Sequence, residues 1–375
     1  MRLLILSVSA GGGHMNAAEA VKAHTLINSP TSVVKIVDTI RYINPILDKV
    51  IIGSYLKSLK IYPSIFGALY NYAENDDALA NVTNKVNEML AYKLLPLIDS
   101  FNPDLIVSTH PFSTEMLSIL KTKGRILKKV ISILTDYAPH SFWIHPAIDA
   151  YVVSNEDMVS EMELRGVNPN TIYPLGIPVH PDFLIEHDRC QTLKALNLNT
   201  EKNTLLLMGG SLGMGNLLEV YREISKIDLP FQIITITGNN KKLFSTLLNE
   251  VKNSSKETRI IGYTNEVNKY MQACDLLVTK PGGLTVSEAL ICKIPLAIFS
   301  AIPGQEEKNA DFLLRNNLAV SLGNGKECKN IIEDLLGSSN KLKEMKDNCY
   351  KFDKSSCGSN IVKLMFSMVY GNLKS

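Results

Sequence analysis

Short apolar runs alternate along the chain with longer segments of helical spacing. In the first half the runs fall at residues 3–8, 33–37, 105–108, 130–134 and 150–153, and the segments at 15–27 and 83–101 carry apolar positions at helical intervals. A run that is apolar without alternation is buried on both faces, so these runs predict a parallel sheet covered by helices. Strand–helix alternation predicts the α/β class. The pattern then restarts, with runs at 204–208, 232–237, 259–261, 275–279 and 296–299. Each of these ends at or near glycine: Gly209 and Gly210, then Gly238, Gly262, the pair Gly282 and Gly283, and Gly304. The chain is therefore expected to form two Rossmann-like, doubly wound halves. The join is expected at 175–183, where Gly176, Pro178 and Pro181 interrupt regularity. The expected division is 1–176 for the first domain and 184–356 for the second, with an apolar helix at 357–375 packing back on the first. Open α/β sheets bind ligands beyond the carboxyl ends of their strands. The glycines at those ends thus mark one surface, expected to line a cleft between the halves.

Bulk properties narrow the class. A length of 375 residues suits two domains, and 45% hydrophobic with 20% charged residues is a globular composition. A net charge of +2 supplies no global field for nucleic acid, so no nucleic-acid partner is expected. No stretch approaches the ~18 apolar residues of a spanning helix. Residues 1–10 read as a first strand rather than a signal peptide. The six cysteines show no CxxC spacing and read as buried or idle thiols of a reducing cytoplasm.

Two glycine systems carry candidate chemistry. Ser9-Ala-Gly-Gly-Gly-His14 joins the first strand to the first helix, where Gly12 and Gly13 permit a tight turn and leave N–H groups bare at a helix start. Gly11 and Gly13 fit a dinucleotide fingerprint, and Asp38 stands where a ribose-binding acid would sit. The third fingerprint position is Asn16, which argues against NAD. His14, in the first helical turn, can serve as a general base; the bland alternative is local capping. The second system, 280–289, opens another helix on Gly282 and Gly283, a natural phosphate seat. Glu288, about a turn and a half further on, can accept both hydroxyls of a ribose. Gln305, Glu306 and Asn309 group amide and carboxylate functions suited to sugar hydroxyls, and the loop at 209–213 offers N–H groups to a pyrophosphate.

These residues resemble a known family. The stretches SAGGGHMNAA (9–18), STHPF (108–112), LTDYAPHSFWIHPAIDAYVVSN (134–155), LGIPV (175–179), MGGSLGMGN (208–216), GYTNEVNKYMQACDLLVTKPGGLTVSEAL (262–290) and PGQEEKNADF (303–312) run nearly end to end. Together they resemble glycosyltransferase family 28, in its monogalactosyldiacylglycerol synthase and bacterial diacylglycerol glucosyltransferase group. The resemblance implies a GT-B fold, an acceptor on the first domain and a UDP-sugar donor on the second. It further implies inversion at the anomeric carbon and no metal or other cofactor. By the resemblance, His14 is the base or positions the acceptor, and Asp136 orients it or is itself the base. Glu288 would bind the ribose, and Gly262 and Tyr263 would frame the uracil. Ser211, Thr279, Gly282, Gly283 and Leu284 would line the diphosphate, while Gln305, Glu306 and Asn309 would read the sugar. His140, Trp143 and His145 would lie toward the lipid, Trp143 as an interfacial ring or, equally, as plain core packing. The loop at 209–215 reads GGSLGMG, where bacterial glucosyltransferases often carry a His or other polar residue, which leaves the transferred hexose open.

Two patches suit an anionic membrane surface. Residues 121–129 hold five basic side chains and no acid, and residues 42–72 mix aromatic and aliphatic groups with lysines. The expected location is peripheral, on the inner face of the cell membrane. The nearest alternative is a UDP-N-acetylglucosamine transferase acting on a polyprenyl-diphosphate-linked acceptor. Rivals of another class are a UDP-sugar 2-epimerase and a non-catalytic UDP-sugar sensor.

Overall fold

The computed structural model describes residues 1–9, 12–45, 80–210, 216–326 and 328–371. Most of the 42–72 patch, and Ser211, lie outside them. Contacts divide the chain into two units: Met1–Pro181 with Pro303–Gln305 and Ser356–Ser375, and Asp182–Ile302 with Glu306–Ser355.

The first unit is built on a six-stranded sheet in the order β2-β1-β3-β4-β5-β6. Its strands are β1 (Arg2–Ser7), β2 (Val33–Asp38), β3 (Leu105–Ser108), β4 (Lys129–Ile133), β5 (Ala150–Val152) and β6 (Ile172–Tyr173), all parallel. Alternate residues feed two cores, as the uninterrupted apolar runs require. Leu4, Leu6, Ile106 and Val130 face one side, where Met116 and Leu117 of α2 (Pro111–Thr122) cover them. Leu3, Ile5, Leu105, Val107 and Ile131 face the other, against Ala18 and Val21 of α1 (Gly13–Asn28). The second sheet runs β12-β11-β10-β7-β8-β9. Its strands are β7 (Asn203–Met208), β8 (Phe231–Ile236), β9 (Thr258–Ile261), β10 (Leu276–Thr279), β11 (Leu296–Ile298) and β12 (Ala319–Ser321), again all parallel. Two of its helices matter for the site: α3 (Gly283–Ile291) follows β10, and α4 (Gln305–Arg315) follows β11.

The last helix, α5 (Cys357–Tyr370), belongs to the first unit, where Cys357, Ile361, Val362 and Met365 complete the core on the α1 side. Gly358 is placed against the His24 ring so closely that a Cβ there would lie 2.2 Å from it. The Nε2 of His24 lies 3.0 Å from the Val179 carbonyl. One buried imidazole of α1 thus touches both the returning helix and the end of the first unit's main segment.

Strand order fixes where each sheet can hold a ligand. In the first sheet β1 has β2 on one side and β3 on the other, so the chain reverses its direction of travel there. In the second sheet β7 stands in the same way between β8 and β10. The connections leaving such neighbouring strands splay to opposite faces and open a crevice at the carboxyl edge. The two crevices carry the loops after β1 and β3, and those after β7 and β10.

The basic stretch 121–129 lies elsewhere. It enters β4 at its amino end, so it is on the opposite edge of the sheet from the loop after β1. At about 3.3 Å per residue, the length of β4 separates the two edges. Its charges are also engaged. Lys121 and Lys129 both reach Asp149, the latter at 3.2 Å, and Lys123 pairs with Glu88 at 3.1 Å. Asp149 in turn accepts the Val130 N–H at 2.7 Å. The pairs to Asp149 fasten the entry to β4.

Candidate active site

At the first crevice Gly12 takes φ 91°, a left-handed conformation that favours glycine, and α1 starts at Gly13. His14 is therefore set in the first helical turn, directly beyond β1. Its Nδ1 lies 2.9 Å from the Thr109 carbonyl and 2.9 Å from Thr135 Oγ1. A carbonyl oxygen only accepts, so Nδ1 carries the proton and the lone pair resides on Nε2. Thr109 is itself fixed, since its hydroxyl donates to the His14 carbonyl at 3.0 Å and pairs with Ser7 Oγ at 2.9 Å. Burial lowers the His14 pKa to about 4, partly offset by the Thr109 carbonyl. At neutral pH His14 is a neutral imidazole whose Nε2 is unprotonated.

A second histidine stands beside it. His110 caps α2, its Nδ1 accepting the Phe112 N–H at 3.1 Å. Nδ1 is thus unprotonated and the proton is on Nε2, the opposite tautomer to His14. The two rings meet edge to face with centroids 4.5 Å apart. Burial, then the proximity of His14, holds the His110 pKa well below its usual value. Asp136 is buried just beyond β4, next to Thr135.

At the second crevice Thr279 ends β10, fully buried, and Gly282 caps α3. A Cβ built on Gly282 meets nothing within 4 Å, so the space before the helix is open and its first N–H groups are bare. Gly283 begins the helix, and Leu284 is buried. Glu288 is half-buried in α3, and desolvation raises its pKa to about 8. Beyond β9, Gly262 also has open space at its Cβ position, and the Tyr263 side chain is 61% exposed.

Comparisons with known proteins follow the same division. Residues 14–179 match the model of monogalactosyldiacylglycerol (MGDG) synthase, and residues 190–352 match glycosyl transferases group 1. A processive diacylglycerol beta-glucosyltransferase of Bacillus pumilus is 27% identical over 347 residues, covering 92% of this chain and 90% of the relative. Each half of the chain thus carries a glycosyltransferase domain, and the chain is similar along most of its length to processive diacylglycerol beta-glucosyltransferases. Its GT-B fold is shared more widely. Acinetobacter baumannii MurG superposes with a TM-score of 0.64 at 12% identity, covering 97% of this chain and 98% of that one. A UDP-GlcNAc 2-epimerase of Neisseria meningitidis, bound to UDP-GlcNAc, gives 0.62 at 12% identity, covering 98% and 100%. Those two likenesses establish the fold alone.

Within this glycosyltransferase several expected site residues take other places. Trp143 is 3% exposed and packs in the core, its ring 6.2 Å from that of His14. It is a wall behind the histidines rather than an interfacial ring; the exposed aromatic of that loop is Phe142, at 47%. His140 is buried and its Nδ1 accepts the Phe142 N–H at 3.2 Å. The Nε2–H of His145 donates to the Phe142 carbonyl at 2.9 Å. Both histidines hydrogen-bond within their own loop. Asn309 has no exposed surface, and its Nδ2 donates to the Pro281 carbonyl at 3.1 Å. Glu306 receives Lys280 Nζ at 2.9 Å and the Ile302 N–H at 2.7 Å. These two side chains brace the loop before α3 from α4. Gln305, half-buried at the start of α4, groups with the first unit.

Asp136 was expected to orient His14 or to be the base itself; Nδ1 of His14 is held by Thr109 and Thr135, and Asp136 receives the Gln305 amide N–H. Thr109, Thr135 and His110 were not singled out by the sequence reading. The signal for His110 was present in STHPF at 108–112, a polar run following an apolar strand at the switch point.

Proposed function

We propose that the chain transfers a hexose from a UDP-sugar to the hydroxyl of diacylglycerol, or of a glycosyl-diacylglycerol, with inversion at the anomeric carbon. One observation carries the reading: His14 is held as a neutral imidazole whose Nδ1–H is committed to Thr109, leaving the lone pair of Nε2 at the first crevice. The Bacillus pumilus relative is named a beta-glucosyltransferase, and UDP-glucose carries its sugar α-linked. Conversion of an α donor to a β product takes one displacement and one base. Nε2 of His14 would remove the proton of the attacking hydroxyl as its oxygen bonds to the anomeric carbon and UDP departs. Asp136, buried beside Thr135, is the second candidate for that proton.

The second unit supplies the donor half of the reading. The bare start of α3 at Gly282 and Gly283 would meet the leaving diphosphate with backbone N–H groups and the helix dipole. The chain's own amides then do what a divalent ion does elsewhere, and activity should persist in EDTA. Glu288 would accept the ribose hydroxyls, while Gly262 and Tyr263 would flank the base. The acceptor is a lipid, so the reaction takes place at a membrane surface, which we place at the inner face of the cell membrane. No helix among the described residues is long and apolar enough to cross a membrane.

The test is UDP release from UDP-glucose, UDP-galactose and UDP-N-acetylglucosamine, with and without anionic vesicles containing diacylglycerol. Lipid-dependent release with one donor, together with a glycosyl-diacylglycerol product, is the expected result. Release that needs a polyprenyl-diphosphate acceptor, or sugar epimerised without any lipid, would overturn it.

A further inference from the structure

Two imidazoles share the first crevice, and the reaction as written uses only one. His14 follows β1 and His110 follows β3, the two strands that flank the switch point. Their rings touch edge to face. Each has one nitrogen committed to backbone: Nδ1–H of His14 donates to the Thr109 carbonyl, and Nδ1 of His110 accepts the Phe112 N–H. The commitments are opposite in sense, so the remaining nitrogens differ. Nε2 of His14 is a lone pair, while Nε2 of His110 is an N–H. Among the described residues neither Nε2 has a hydrogen-bond partner, and neither is a fully buried orphan. Fixed backbone groups thus present a base and a donor side by side.

A polyol or glyceride acceptor offers matching chemistry. The attacking hydroxyl needs a base. The oxygen on the adjacent carbon, an ester oxygen of diacylglycerol or a hydroxyl of a glycosyl-diacylglycerol, offers a lone pair to a donor. We propose that His110 is an acceptor-binding residue, whose Nε2–H donates to the oxygen vicinal to the attacking hydroxyl and so aims that hydroxyl at Nε2 of His14. This rests on the glycosyl-transfer reading above. Because both rings are desolvated and close together, a proton taken up by His14 in the reaction discourages protonation of His110. His110 therefore remains a neutral donor throughout turnover, and no second positive charge opposes the imidazolium that forms on His14. A neutral donor also suits both acceptor types, which share an oxygen lone pair at that position.

Capping and acceptor binding can be separated by choice of substitution. Asn is among the best N-cap residues, so His110→Asn keeps the hydrogen bond to the Phe112 N–H and the start of α2 while removing the ring and its Nε2–H. His110→Phe keeps a ring against His14 and has no N–H. The experiment measures steady-state UDP release from UDP-glucose with diacylglycerol vesicles for wild type and both variants. Donor affinity is read separately by UDP titration, and folding by thermal unfolding. The proposal expects both variants to lose about 10- to 100-fold in kcat/KM for the lipid acceptor, with UDP affinity within about twofold of wild type. Wild-type rates in His110→Asn would show that His110 is only a helix cap. Loss in His110→Asn with full activity in His110→Phe would show that the ring merely packs against His14. Either result overturns the proposal. A wild type that releases no UDP in response to lipid would instead overturn the transferase reading itself.

Discussion

His14 shows how backbone geometry sets side-chain chemistry. Its proton is pinned to Nδ1 by a carbonyl, so no carboxylate is needed to select the tautomer. Replacing it with Gln keeps a polar side chain and removes the base. His14→Gln should lower kcat by roughly 10²- to 10⁴-fold and leave UDP affinity unchanged, which single-turnover kinetics and a UDP titration would separate. With its pKa lowered to about 4, the acid limb of kcat/KM for wild type should lie near that value, not near the 6.5 of free histidine. Glu288 is displaced the other way. Burial raises its pKa to about 8, so the unliganded carboxyl is protonated at neutral pH. Ribose hydroxyls donate to a carboxylate, which favours the ionised form in the complex. UDP binding should therefore release a proton and tighten as pH rises toward 8; Glu288→Gln should bind more weakly and lose that dependence. Calorimetry at two pH values in buffers of different ionisation enthalpy measures both effects. Motif spacing identified His14 and Glu288 as candidates. It did not identify Thr109 and Thr135, because their part depends on two strand ends being neighbours in the sheet, and neighbours in a sheet need not be neighbours in sequence.

At the level of elements, the bracing of the β10–α3 loop decides how the donor half is held. Asn309 and Glu306, on α4, take hold of Pro281, Lys280 and Ile302. Asn309→Leu strands the Pro281 carbonyl in a buried position. A cost of about 1–3 kcal/mol in urea unfolding is expected, together with a raised KM for the UDP-sugar and little change in acceptor KM. A direct sugar contact would instead change the preference among UDP-hexoses, and a comparison of three donors distinguishes the two. The long strands were legible from their apolar runs, and the helix starts from their glycines. Two strands were not, β6 with two residues and β12 with three, both at sheet edges. An edge strand is buried on fewer sides and needs no continuous apolar run, so its pattern is too short to stand out. Trp143 was open between interface and core for a related reason: amphipathic character suits an interface, but only the packing of its loop decides which way the ring turns.

On the scale of the whole molecule, the chain returns to its first unit to finish. Helix α5 closes the core on the α1 side, and Gly358 leaves room for the His24 ring. Gly358→Ala should destabilise the first unit by about 1–3 kcal/mol through overpacking, and His24→Ala in the same chain should restore part of the loss, as read by thermal unfolding. His14, His24 and His110 all have pKa values lowered chiefly by burial. A histidine kept neutral in the fold binds its proton first in the unfolded chain. Its stabilising contribution is present above the unfolded pKa and is lost as pH falls from about 6.5 toward the folded value. The first unit should accordingly unfold more easily across that interval. His110→Asn, with one such group fewer, should show a shallower loss between pH 6.5 and 4.

The central claim is that this chain builds a glycolipid with His14 as its base. It is tested most directly by mass spectrometry of the lipid extract after incubating UDP-glucose, or UDP-galactose, with diacylglycerol vesicles and either wild type or His14→Gln. The account predicts a hexosyl-diacylglycerol from wild type and a trace or none from the variant, with both proteins folded and binding UDP. Equal product from the two would contradict His14 as the base, and no hexosyl-diacylglycerol from wild type with either donor would contradict the acceptor.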